Sequence, residues 1–86
     1  MKEKSGPHVD NEVYRAVRRQ IGRRYEVDTS KVQARVSYGV VYLSGELRAG
    51  RAFAGTLKQE LETIRNILMH IQGVKEVVDR DLRLVE

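Results

Sequence analysis

The sequence predicts an α+β domain in two layers, in the order helix, strand, strand, helix, strand, with a three-stranded sheet carrying both helices on one face. Three observations predict it. Val32, Ala34, Val36 and Tyr38 alternate with Gln33, Arg35 and Ser37, the period of a half-buried strand. Leu57, Leu61, Ile64, Leu68 and Ile71 recur at helical spacing. Two glycine-anchored phrases frame these stretches. Gly39-Val40-Val41-Tyr42-Leu43-Ser44-Gly45 reads as a hairpin return strand stopping at its second glycine. Gly73-Val74-Lys75-Glu76-Val77-Val78-Asp79 reads as a helix stop running into a strand.

Residues 1–9 read as a lead-in without order, and 10–86 as a single domain. Asp10 suits a helix N-cap, with Glu12 well placed in the first turn. Val13, Tyr14, Val17 and Ile21 then share one face, and Arg15, Arg18, Arg19 and Arg23 another. Gly22 costs this helix about 1 kcal/mol against alanine and loosens its last turn. Val27-Asp28-Thr29-Ser30 is a short connector. A two-residue turn at Tyr38-Gly39 sets Val36 opposite Val41, Arg35 opposite Tyr42 and Ala34 opposite Leu43, with the apolar residues on one face. Tyrosine suits the first position of such a turn poorly, because positive φ is required there, so a longer turn stays open. Arg48–Gly55 is a small-residue, basic connector. Thr56 with Gln59 fits a capping box for the second helix, and Gly73 ends it. Val74 to Val85 make the last strand, with Leu82 and Leu84 on one face.

At 86 residues there is room for one modest core, burying about 60–65% of the unfolded surface. The absence of cysteine excludes disulfides and thiolate chemistry. The polar start has no signal-peptide pattern, and no apolar run approaches the roughly 20 residues of a membrane span. The protein is expected in the cytoplasm if the chain is complete, and in the cell envelope if it is a piece of an exported protein. Of the net charge of +4, the stretch 10–24 carries five arginines against two acids, so an anionic partner would meet the N-terminal half.

The order of elements and the spacing of the two phrases resemble the BON domain of bacterial envelope and stress proteins. The resemblance rests on Gly39, Val41, Leu43, Gly45 and Leu47, on Gly73, Val74, Val77 and Asp79, and on the strand entry Asp28-Thr29-Ser30-Lys31-Val32. It covers roughly residues 10–85. Two departures stand out. The stretch from Gly45 to Gly73 is longer than the family pattern by about two helical turns. Val77 and Leu82 have opposite parity, which a bulge near Asp79–Asp81 reconciles. The resemblance implies attachment to phospholipid surfaces.

No catalytic set is legible, and neither a cofactor nor a small-molecule substrate is expected. His8 and His70 lack a further converging ligand for a metal. His70 reads as a solvated residue at a helix C-terminus, and Ser44 as an outward strand residue. Glu60 and Glu62 do not share a helix face. The arginine stripe Arg15, Arg18, Arg19 and Arg23 is the leading candidate, as a weak dock for an anionic membrane; the competing reading is a solvated helix face. Arginine favours phosphate because its guanidinium binds oxygens in pairs. Arg48, Arg51 and Phe53 form a second candidate, with Phe53 either dipping into a bilayer interface or covering an edge of the core. Arg35, Val40 and Tyr42 would lie on the open sheet face, either as an ordinary wet face or as a surface for a protein partner or weak self-association. Nucleic-acid binding by the same stripe ranks below both.

Overall fold

The computed structural model describes residues 7–86, with side chains from Asp10 onward. The expected lead-in up to residue 6 and the side chain of His8 lie outside the described residues. The fold is α+β: α1 (Pro7–Gly22), β1 (Val27–Asp28), β2 (Val32–Ser37), β3 (Val40–Ala49), α2 (Leu57–Met69) and β4 (Glu76–Val85). No helix among the described residues is long and apolar enough to cross a membrane.

Helix α1 starts at Pro7, three residues ahead of Asp10. Proline suits a first helical turn, where its missing N–H has no acceptor to lose. Asp10 therefore does not cap the helix. Its carboxylate accepts from the backbone N–H groups of Tyr38 (2.9 Å) and Gly39 (3.3 Å), at the tip of the β2–β3 hairpin. Both turn residues have positive φ, 50° at Tyr38 and 85° at Gly39, so the turn is the expected two-residue one. The register is as expected too, with Val36, Arg35 and Ala34 opposite Val41, Tyr42 and Leu43. Asp10 holds a turn that tyrosine by itself disfavours.

Strand β3 does not stop at Gly45; it runs on to Ala49. Gly45 has φ of 92°, and a Cβ there would fall 2.0 Å from the Lys31 carbonyl oxygen. The glycine marks a close approach to the chain entering β2 instead of a strand end. Because β3 continues, Arg48 and Ala49 find partners in Asp28 and Val27. The expected connector thus supplies a short fourth strand, and the sheet has four strands where three were expected. Strands β1 and β2 both run antiparallel to β3 along one of its edges, while β4 runs parallel along the other. The expected bulge is present. Tyr42 pairs with Val78 but Ser44 with Asp81, so β4 carries one extra residue at Asp79–Arg80.

Thr56 caps α2, its hydroxyl accepting from the Gln59 N–H at 3.1 Å. Helix α2 ends at Met69 with His70 as its C-cap, so Gly73 does not stop it as expected and the half-buried Ile71 lies beyond it. The buried positions of α2 are Leu57, Glu60, Ile64 and Leu68, while Leu61 is only half-buried. They meet Val13, Val17 and Ile21 of α1 above Val41, Leu43, Leu47 and Val77 of the sheet, which makes one core between two layers. Tyr14, expected on the buried face, is 40% exposed on the flank of α1.

Candidate functional site

Helix α1 turns Val13, Val17 and Ile21 to the core, which leaves Arg15 and Arg19 on the opposite side and Arg23 just past the helix end. These three are exposed and four residues apart, a row about 12 Å long at the rise of an α-helix. Glu12, exposed one turn earlier, is the acid of that face.

Arg18 leaves the predicted stripe. It leans toward β2, and its Nη1 donates to the Val32 carbonyl at 2.9 Å. The neighbouring Lys31 carbonyl accepts from the Glu46 N–H at 3.0 Å, so by strand alternation the Val32 carbonyl points away from β3, toward the outer edge of β2. Arg18 thus closes part of a sheet edge.

Arg24 is committed as well. Its Nε and Nη2 bind the two carboxylate oxygens of Glu60 at 2.7 and 3.1 Å. That hydrogen bonding raises the pKa of Arg24, more than burial lowers it. Sequence reasoning set Glu60 against Glu62 and missed this pair. The legible signal was position: Glu60 falls three residues after Leu57 and four before Ile64, on the apolar stripe itself.

The second candidate comes apart. Arg48 lies within β3, not in a connector, and binds Glu46 through Nε and Nη2 at 3.0 and 2.8 Å. Arg83 also donates to Glu46, and the two guanidinium groups, Arg48 first, hold its carboxyl below the ordinary value of 4.5. Phe53 is half-buried and packs on the core, because the chain leaving β3 must cover that edge before α2 begins. It is not available as a membrane wedge. Arg51 remains exposed by itself.

On the open sheet face the Arg35 guanidinium lies 4.4 Å from the centroid of the Tyr42 ring, so this cross-strand pair occupies one face of the ring. Val40 and Val78 adjoin Tyr42 through the β3–β4 register, and all three are half-buried. His70 sits exposed at the end of α2, its Nδ1 2.7 Å from the Asn66 carbonyl. An open depression of about 420 Å³ lies beside it, between the helices, lined by Gln20, Asn66, Ile67, His70 and Ile71. Among the described residues no three metal-ligating side chains converge.

What the arrangement offers chemically is a row of guanidinium groups for oxyanions. Comparison with known proteins finds no matching family model, curated protein or solved structure.

Proposed function

We propose that this protein is a non-catalytic binding module that docks on anionic phospholipid surfaces through the outer face of α1. The observation that carries the reading is the row Arg15, Arg19 and Arg23, exposed and without a carboxylate partner among the described residues. The other structurally important arginines, Arg18, Arg24, Arg48, Arg65 and Arg83, are all hydrogen-bonded within the fold. Tyr25, 87% exposed beside Arg23, supplies an amphipathic ring suited to head-group depth. The resemblance to BON domains points the same way and suggests a bacterial membrane surface as the workplace.

Each arginine near an anionic surface is worth about 1 kcal/mol. Three give about 3 kcal/mol before association entropy, so docking is weak and salt-sensitive. The test is co-sedimentation with phosphatidylglycerol or phosphatidylcholine vesicles at low and moderate salt. Binding to the anionic vesicles only, lost in Arg15→Glu/Arg19→Glu with an unchanged circular dichroism spectrum, is the expected result. Arg18 stays in place because its substitution would disturb the β2 edge. Equal binding by the variant overturns the reading.

A second reading, a protein partner on the open sheet face, is favoured by the contiguity of Val40, Tyr42 and Val78. It gains if neither vesicle binds.

A further inference from the structure

Strand β4 is ten residues long and pairs with β3 along one edge only; along its other edge no strand lies among the described residues. Such an edge is a template for another strand unless something closes it. The ladder shows which part is closed. Glu46 turns its backbone toward β2, so the odd-numbered residues Val41, Gly45 and Leu47 turn theirs toward β4. In a parallel ladder the residues opposite these direct their own N–H and C=O groups outward: Val77, Leu82 and Leu84. At Val77 the outward carbonyl is taken by Arg65 Nη1 at 3.0 Å, which also binds Asp79 Oδ2 at 3.0 Å, and the bulge follows directly. The first half of the edge is plugged. At Leu82 and Leu84 no side chain performs that service among the described residues.

The open half has a sequence that complements itself. Asp81 and Arg83 stand on the open sheet face, opposite Ser44 and Glu46, and flank Leu82, which faces the helix layer and is only half-buried. We propose that a second copy of this chain pairs antiparallel with β4 about Leu82, so that Asp81 of each copy meets Arg83 of the other. The two Leu82 residues exchange both backbone hydrogen bonds, and their side chains cover each other on the helix side. Two Asp81–Arg83 pairs form on the open face, and Leu84 lies against the aliphatic stem of Arg80. The register is specified. A two-fold axis at Arg83 sets arginine opposite arginine, and an axis between residues sets outward-facing backbone against inward-facing backbone. The interface is isologous and small, so the dimer is weak and reversible. It uses a different surface from the arginine row and stands independently of the lipid reading.

Sedimentation equilibrium over a concentration series at low salt tests it. The unaltered chain is expected to show a monomer–dimer equilibrium that weakens with salt. Asp81→Arg and Arg83→Asp each place like charges opposite and are expected to be monomeric alone. Mixed in equal amounts they are complementary and are expected to dimerise. A purely monomeric unaltered chain, a dimer indifferent to both substitutions, or a mixture that stays monomeric overturns the proposal. A second test does not depend on Arg83, which also serves Glu46. Hydrogen-bonded antiparallel partners stand about 5.5 Å apart at Cα, within disulfide range. The chain has no other cysteine, so Leu82→Cys should cross-link under mild oxidation much faster than the exposed control Glu62→Cys. Equal rates overturn the proposal.

Discussion

Tyr38 holds a φ of 50° that costs a side chain other than glycine, asparagine or aspartate about 1–2 kcal/mol, and it is 64% exposed, so packing recovers little of that. The compensation is Asp10, which satisfies both N–H groups at the turn. Asp10→Ala is expected to lower stability by about 1–2 kcal/mol in urea unfolding. Tyr38→Asn, which gives the favoured Asn-Gly turn, should raise it by up to about 1 kcal/mol in the same assay. Glu46 makes a pH-dependent contribution. Arg48 and then Arg83 lower its folded pKa, so the unfolded chain takes up the proton first as pH falls. The stabilisation is complete above the ordinary value of 4.5 and disappears as pH drops through the lowered one. In unfolding curves across that window, Glu46→Gln should show a flatter loss than the unaltered chain. Asp28, lowered by hydrogen bonds from the Ser30 hydroxyl and N–H, adds a contribution of the same sign.

At the scale of elements, the two helices are held by more than apolar contact. Glu60 is 9% exposed in the buried stripe of α2, where an unpartnered carboxylate would be costly, and Arg24 from the end of α1 supplies the partner. The guanidinium is a third exposed, so solvent screens part of the pair's strength. Arg24→Ala should therefore lower stability by about 1–3 kcal/mol, while Arg24→Met/Glu60→Leu stays near the unaltered value, as thermal unfolding of both variants would show. Arg18 and Arg65 perform a related service for the sheet, each taking the carbonyl of an outer-strand residue, Val32 and Val77. Helix arginines close strand edges here, and this explains why charge counting alone overstates the free cations on α1.

For the whole molecule, β3 is the organising element. Among the described residues it is the one strand paired along both edges, and its Val41, Leu43 and Leu47 side chains are at most 2% exposed. Native-state amide exchange should accordingly be slowest in β3. Among the strands it should be fastest in β1, which is only two residues long. A slow β1 with a fast β3 would contradict the assignment of the core. The same layout separates two surfaces, the arginine row on the outside of α1 and the open end of β4. Lipid docking and self-pairing can therefore be measured without interfering with each other through shared residues.

Local rules determined the elements. Alternation fixed the β2–β3 register, Thr56 set the start of α2, and the parity clash between Val77 and Leu82 marked the bulge, because each depends on neighbours in sequence. The two helices, the single core and the outward placement of Arg15, Arg19 and Arg23 were legible for the same reason. What residues far apart in the chain decide was not. Asp10 looked like a helix cap and became the clasp of a hairpin 28 residues away. Gly45 looked like a strand end and became a close-approach point, so β3 ran on and drew Val27 and Asp28 into the sheet. Arg18 and Arg48 looked available and were taken up by a carbonyl and a carboxylate. Tertiary structure alone assigned those partners, because a charge or a ring is spent on whatever the fold brings within reach, and composition carries no record of distance.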